Sequence, residues 1–359
     1  MATHVTENLR IHPSKLAHQE PVSTPEPATR NRLGVLKGVQ ILAVSGYVPP
    51  EVVRNEDLAA EGYDADWIRQ RTGILARCRA PADWANSDVS YEAAKLCLDR
   101  AQISASSLDL IIVATMTPDS PTPSTACRLQ QRLNCTCPAM DLNAACAGFM
   151  YGLVTGMHFV RSGSYQRVLV VGSDLMSRVV NPADRKTFPL FGDGAGAVLL
   201  GPGSEDQGLL AFSLGADGSG CDVLQIPGGG TREPLTPESL ADGRQYLHMD
   251  GRAVFKWAVR LLADAIADVL QHADLKLKDV DLFVLHQANR RILDSAAESL
   301  GIPPEKVLIN LDRYGNTSAG SIPLALDEAY QAGKIRRGSK ILMCGFGAGL
   351  AWGATVMQW

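Results

Sequence analysis

The sequence predicts an α/β fold built from two copies of one βαβ-rich unit. Three observations carry this: strand and helix signals alternate, the same order of signals occurs twice, and the spacings nearly match. At 359 residues there is room for two domains of ~150 residues each. Residues 108–115 (Leu-Asp-Leu-Ile-Ile-Val-Ala-Thr) read as a buried strand from their β-branched content and length. A helix-like segment at 124–133 and a short apolar stretch at 139–142 follow. Residues 147–161 are long enough only for a helix and are apolar nearly all round, with Phe149, Met150, Leu153, Val154, Met157, Phe159 and Val160. Such a helix belongs inside, between other layers. Gly148, Gly152 and Gly156 form a stripe along it that lets another backbone come close. Strands are expected at 167–172 and, after Phe191-Gly-Asp-Gly-Ala-Gly196, at 197–200.

The second half repeats the order. Residues 281–285 form a strand running into His286, then a helix at 290–300 ends at Gly301. A strand at 307–310 leads through Tyr314-Gly-Asn316 to a helix at 318–331. A strand at 340–344 leads through the glycine run 345–349 to a last strand ending at Trp359. From Leu108 to Cys146 is 38 residues and from Val280 to Asn316 is 36; from Cys146 to Arg167 is 21 and from Asn316 to Ser339 is 23. Two copies packed about a pseudo-two-fold axis explain these numbers economically. The halves are expected at 35–214 and 215–359, meeting in the Gly/Pro-rich stretch 215–243. Residues 1–34 lack periodicity and read as a disordered arm. A plastid transit peptide is the functional alternative there, and Glu7, Glu20 and Glu26 argue against it.

Composition excludes several classes. With 46% hydrophobic and 20% charged residues the chain is an ordinary globular protein, not a disordered, collagenous or disulfide-stapled one. A formal net charge of −4 gives no global field for nucleic acid. No uncharged apolar run reaches 18 residues and no hydrophobic leader is visible, so neither a membrane span nor secretion is expected. The eight cysteines include a lone C-x-C (Cys135, Cys137) and no zinc spacing. A cytoplasmic protein with reduced thiols and no metal is the expectation.

Three residues stand out for chemistry. Cys146, in Asn143-Ala-Ala-Cys-Ala-Gly-Phe149, lies where a short strand meets the buried helix, where free N–H groups and the helix dipole favour a thiolate. Taken alone it is equally a small buried apolar residue. His286 closes an apolar strand, and the carboxyl end of a strand is where α/β proteins place reacting groups; a histidine satisfied by a neighbouring carbonyl is the bland alternative. Asn316 sits in a Gly-Asn-Thr-Ser corner and alone reads as a turn or cap residue. The repeat makes it the counterpart of the Cys146 junction, so that both should face one pocket. Gly192-Asp-Gly-Ala-Gly-Ala197 precedes a strand rather than a helix, so it is no dinucleotide fingerprint. The run Gly345–Gly349 better suits a tight turn offering bare N–H groups to an oxyanion. P-loop and serine-hydrolase motifs are absent from the sequence.

With Ala-Cys-Ala-Gly-Phe149, His286-Gln-Ala-Asn289 and Gly315-Asn-Thr-Ser-Ala-Gly320 in this order, joined by Trp67-Ile-x-x-x-Arg-Thr-Gly73 and Phe191-Gly-Asp-Gly-Ala-Gly196, the chain resembles the beta-ketoacyl-acyl-carrier-protein synthase III family of the thiolase superfamily. The likeness runs from about residue 35 to Trp359. It implies the five-layer αβαβα thiolase sandwich, a homodimer, and a reaction in which Cys146 is acylated by an acyl-CoA. His286 and Asn316 would then stabilise the enolate formed when malonyl-acyl carrier protein loses CO2, with the backbone N–H groups of Cys146 and Ala348 holding the tetrahedral oxyanion. No metal or redox cofactor is implied. By the same likeness Trp67, Arg71, Arg185 and Asn289 would bind CoA. Gln287, Ala288, Asn289, Arg290, Arg291 and Lys256 would dock the acidic carrier protein, and Thr122 and Phe191 would line the primer pocket. Arg252, Lys256, Arg290 and Arg291 also read, without the family, as a basic patch for an acidic partner or as an ordinary solvated face. Family members restricted to acetyl primers often carry phenylalanine where this chain has Thr122, a position that caps the partner subunit's acyl channel, so longer primers are expected to fit. Ala348 replaces a common glycine but keeps its N–H.

Four rivals remain in view. A biosynthetic thiolase needs a second cysteine after Cys344, where Gly345 stands. A polyketide- or quinolone-type starter enzyme would use the same Cys-His-Asn set. A carrier-binding protein with a dead site and a cysteine hydrolase complete the list.

Overall fold

The computed structural model describes residues 32–359; the expected arm, or transit peptide, lies outside the described residues except for 32–34. Numbered in chain order, the first sheet holds β2 (Val39–Tyr47), β5 (Leu110–Ala114), β6 (Ala139–Leu142), β7 (Val168–Leu175) and β8 (Asp193–Pro202) in the order β2-β8-β7-β5-β6. The second holds β1 (Arg32–Lys37), β9 (Gly208–Ala216), β12 (Leu282–Leu285), β13 (Lys340–Gly347) and β14 (Ala351–Gln358) in the order β1-β9-β14-β13-β12. Two small hairpins, β3 (Glu51–Arg54) with β4 (Ala76–Arg79) and β10 (Leu224–Gln225) with β11 (His248–Met249), stand outside the sheets.

The duplication is visible in the pairing. β7 runs parallel to β5 and antiparallel to β8, and β13 runs parallel to β12 and antiparallel to β14. β8 and β14 then pair antiparallel with β2 and β9. Helices α4 (Gly148–Arg161) and α9 (Ser321–Gln331) fill the space between the sheets, sharing one apolar core with the inner faces of both. α2 (Asn86–Ala101) and α3 (Thr125–Arg132) cover the outer face of the first sheet, and α6 (Gly251–His272) and α7 (Arg290–Leu300) that of the second. Helix, sheet, helix, sheet, helix: the five layers are those expected. Strands covered on both faces read as unbroken apolar runs, as β5 does throughout and β7 does over its first four residues. Three short helices, α1 (Ala65–Thr72), α5 (Pro237–Ala241) and α8 (Leu311–Tyr314), complete the set among the described residues.

Four expectations need correction. The halves divide between β8 and β9, not at 214/215, because β9 pairs with β14 in the second sheet. Residues 32–34 belong to β1, which also joins that sheet. The glycine stripe of α4 makes room for strand side chains rather than another backbone: a Cβ on Gly152 or Gly156 would meet Val170 at 3.1 or 2.8 Å. Residues 307–310 form no strand beyond one bridge from Val307 to Phe283. Their ladder groups are taken by a side chain: the Gln287 amide donates to the Leu308 carbonyl and accepts from the N–H groups of Asn310 and Leu311.

Candidate active site

Both central helices are entered by the same backbone device. After β6, the Asn143 side-chain carbonyl accepts from the Ala145 N–H at 3.0 Å, Ala145 takes φ 46°, and a 3-10 turn Ala145–Ala147 leads into α4. Asn316 likewise accepts from the Ser318 N–H at 2.9 Å, Ser318 takes φ 51°, and the turn Ser318–Gly320 leads into α9. The residue-level counterpart of Asn316 is therefore Asn143, and that of Cys146 is Ala319. The junctions correspond as expected, with the residues offset by three.

Cys146, His286 and Asn316 are all buried and line one cavity of about 310 Å³. Phe346, Gly347 and Ala348 form part of its wall. Gly347 must be glycine, since an added Cβ would lie 2.6 Å from the Cys146 nitrogen. The rim is aromatic and cationic: exposed Trp67, Arg71, Lys186 and Arg291, with Asn289 beside them. Trp67 and Arg71 stand one turn apart on α1, so both reach the same opening.

Burial sets the protonation of the interior groups. It pushes the Cys146 thiol up to about 12; the nearby Asp174 carboxylate adds to this, and a hydrogen bond from the Ser318 hydroxyl, 3.3 Å from Sγ, opposes it. The proton stays on sulfur, so desolvation outweighs the helix-terminus effect that favoured a thiolate. Burial also pushes His286 down to about 3, leaving a neutral ring. Its Nδ1 lies 2.6 Å from Ser321 Oγ, and the Phe346 ring meets it edge-on at 5.2 Å. Because Asn316 Oδ1 is held by the Ser318 N–H, its NH2 is the end left to donate.

The Phe191 motif supports Asn316 instead of binding a nucleotide. Phe191 bridges Asn316, the Asn316 N–H donates to the Leu190 carbonyl at 2.9 Å, and the Gly192 N–H donates to the Asn316 carbonyl at 3.1 Å. A Cβ on Gly192 would strike the Tyr314 carbonyl at 2.3 Å. Asp193 opens β8 and accepts from Ser177 and the Ala80 N–H.

Other expected residues divide. Ala288, Asn289 and Arg291 line the cavity, although the Asn289 amide already caps α7 through the Arg291 N–H and donates to the Arg71 carbonyl. The Arg291 guanidinium stacks over Phe255, bringing the start of α7 beside α6, where Arg252 and Lys256 are exposed. Arg290 is exposed and paired with Asp294 at 2.7 Å. Gln287 is a correction: fully buried, its amide bonds four backbone groups, at Leu285, Leu308, Asn310 and Leu311, so it offers no surface to a partner. Arg185 lies over the Tyr63 ring and Thr122 is exposed; neither lines the cavity.

Sequence reasoning missed Ser318, Ser321, Lys186 and Asp174. The serines stand two and five residues after Asn316, where the first half has Ala145 and Gly148. Asp174 is a lone acid near the end of an apolar strand, which was the available signal. It accepts from the hydroxyls of Thr115 and Thr117 and the N–H groups of Met116, Thr117 and Ala319, tying the loop after β5 to the second half.

Two duplicated α/β halves clasping a thiol, an imidazole and a carboxamide in one cavity define a condensing enzyme of the thiolase fold. The family model described as 3-oxoacyl-[acyl-carrier-protein] synthase III matches residues 140–218, and that of its C-terminal region matches 270–359. A beta-ketoacyl-[acyl-carrier-protein] synthase III of Rhodopirellula baltica is 54% identical over 345 residues, covering 91% of this chain and 100% of that protein. The 3-oxoacyl-[acyl-carrier-protein] synthase III of Aquifex aeolicus superposes with a TM-score of 0.83 at 41% identity, covering 90% of this chain and 100% of that one. The priming beta-ketosynthase of the R1128 polyketide pathway superposes at 0.81 with 34% identity, covering 90% and 97%. The chain belongs to the beta-ketoacyl-[acyl-carrier-protein] synthase III family.

Proposed function

We propose that the chain joins an acyl-CoA primer to the malonyl group of malonyl-acyl carrier protein, giving a 3-oxoacyl-acyl carrier protein, CoA and CO2, the opening step of fatty acid synthesis. The observation that carries this is the convergence of Cys146, His286 and Asn316 in one cavity whose rim suits a nucleotide-bearing thioester. Cys146 sulfur attacks the acyl-CoA carbonyl, the thiol proton leaves with the CoA sulfur, and the acyl group stays on the enzyme. The Cys146 and Ala348 N–H groups hold the oxyanion. Malonyl-acyl carrier protein then enters. Its C–CO2 bond breaks, the electron pair moves into the thioester, and His286 and Asn316 donate to the resulting enolate oxygen. The enolate carbon attacks the acyl carbonyl, and the Cys146 sulfur leaves as a thiolate and takes a proton from solvent water. Every step balances with one thiol, N–H donors, two thioesters and that one solvent proton, and no cofactor enters.

Trp67 and Arg71 would flank the CoA nucleotide, with Lys186 beside them, while Arg185 would come into play through movement of its exposed side chain. Arg252, Lys256, Arg290 and Arg291 would receive the carrier protein. A homodimer is supported by β6, a half-buried edge strand with one side unpaired, and by exposed Thr122 on the approach to α3. Eight free cysteines fit a reducing cytoplasm; among the described residues no helix is long and apolar enough to cross a membrane.

Mass spectrometry after incubation with acyl-CoA tests the reading: an acyl adduct on Cys146 is expected, and free acid alone would mean a hydrolase. A primer series tests Thr122, with octanoyl-CoA expected to match or exceed acetyl-CoA in kcat/KM; strict acetyl preference removes the longer-primer reading. The likeness to a polyketide priming enzyme favours a second reading, specialised starter synthesis, which the same series distinguishes by its preferred primer.

A further inference from the structure

A neutral imidazole carries its single proton on Nδ1 or on Nε2, and the two choices give His286 opposite roles. With Nδ1 engaged by Ser321, Nε2 is the nitrogen left for the cavity. A proton on Nε2 makes His286 a donor to a substrate oxygen; a proton on Nδ1 makes it a base.

Counting hydrogens at Ser321 decides between them. Its hydroxyl has one hydrogen and two lone pairs. The Gln287 N–H points at Ser321 Oγ from 3.4 Å and occupies a lone pair. Among the described residues, the one acceptor bonded to that hydroxyl is His286 Nδ1, at 2.6 Å. We infer that Ser321 donates its hydrogen to Nδ1 and thereby keeps the His286 proton on Nε2, a positioning residue for the donor that stabilises the enolate. Were Nδ1 to carry the proton instead, Ser321 Oγ would face two donors, and its own hydrogen would have no partner at a site only 2% exposed. Burial keeps the ring singly protonated, so the hydroxyl has only this choice to settle.

The duplicated chain supplies a contrast. The position equivalent to Ser321 at the other helix entry is Gly148, which has no side chain, and among the described residues no imidazole is bonded there. The hydroxyl occurs only where a ring needs it.

This inference rests on the enolate-stabilising role proposed for His286, and the experiment separates the two. In 15N spectra of histidine-labelled enzyme at neutral pH, Nε2 of His286 is expected protonated and Nδ1 bare. Ser321→Ala should populate both forms and slow decarboxylation of malonyl-acyl carrier protein by about 10-fold or more, less than the ~10²–10³ lost with a whole donor. Acylation of Cys146 by acyl-CoA should stay unchanged in that variant, which also shows that it folds. In a His286→Ala background, which has no group for the hydroxyl to orient, Ser321→Ala should have no further effect on decarboxylation. A native enzyme protonated at Nδ1, acylation slowed as much as decarboxylation, or an undiminished Ser321→Ala effect in the His286→Ala background would each overturn the assignment. A native Nε2–H in an enzyme that never decarboxylates the malonyl thioester would support the tautomer lock and overturn the proposed reaction.

Discussion

The entry to α4 and the entry to α9 share an asparagine-held turn, a residue at positive φ and a 3-10 step, yet they hold different chemistry. In the first, the asparagine is exposed and the third residue beyond it is the nucleophilic candidate, Cys146. In the second, the asparagine itself is buried at the cavity, the third residue beyond is Ala319, and hydroxyls appear at Ser318 and Ser321. Duplication supplied one backbone device, and on the proposed reaction side-chain choice divides two tasks between its copies: forming a bond at one, stabilising charge at the other. Burial acts at both, holding the sulfur protonated and the imidazole neutral.

The sharpest way to break this comparison is to remove each task separately. Cys146→Ala should abolish the covalent acyl adduct while leaving decarboxylation of malonyl-acyl carrier protein measurable. Asn316→Ala should do the reverse, slowing decarboxylation by ~10²–10³ through loss of one donor while acyl transfer to Cys146 persists. Mass spectrometry of the adduct and release of labelled CO2 read the two steps independently. If either substitution removed both steps equally, the division of labour would be wrong.

Gln287 tests whether a residue beside the site belongs to it. Gln287→Leu strips partners from buried backbone groups at Leu285, Leu308, Asn310 and Leu311, at about 1–3 kcal/mol for an unsatisfied group. A total loss of at least about 4 kcal/mol in denaturant unfolding is expected. A raised KM for the carrier protein with unchanged stability would return Gln287 to the docking surface.

Much of this was legible in the chain. β5, β7 and α4 announce themselves through long apolar runs, because a segment covered on both sides must be apolar throughout. Cys146 and His286 stood out because each lies where an apolar element ends or begins; Asn316, in a polar corner, stood out only through the repeat and the family resemblance. What stayed hidden was register and partnership. A three-residue offset between junctions leaves the order of elements unchanged, so spacing alone paired Asn316 with Cys146 rather than Asn143. Gln287 was placed on the docking surface by the family resemblance, and a buried amide bonding to backbone leaves no periodic trace that would have argued against it. Residues 307–310 looked like a strand because nothing local says that a side chain will take their hydrogen bonds. Ser321 was invisible as a partner of His286 because the two lie 35 residues apart and meet only through α9.

Acid should weaken the second junction's neighbour in a defined direction. His286 titrates near 6.5 when unfolded and at about 3 when folded, so between these values the unfolded chain binds more protons. Its contribution is fully present above pH 6.5 and is lost as pH falls toward 3. At pH 5 this amounts to about 2 kcal/mol, from about 1.36 kcal/mol per pH unit. Urea midpoints of the native chain and of His286→Gln, compared at pH 7 and 5, isolate the contribution. A difference that does not change with pH would mean that the imidazole is charged in the folded protein.

The smallest expected effect is at Asn143, and it bears most directly on why the two copies differ. Its side chain holds the same kind of turn as Asn316 does, but it is exposed and does not line the cavity. Asn143→Ala removes one local side-chain bond to the Ala145 N–H, worth about 1 kcal/mol by analogy with lost helix caps. The unfolding midpoint should drop slightly, while decarboxylation stays at its native rate. The turn positions Cys146, so acylation should slow only in proportion to any loosening of that turn, far less than Asn316→Ala slows decarboxylation. Equal losses at the two asparagines would mean that both act by holding their turns, and Asn316 would then lose its claim to touch the enolate.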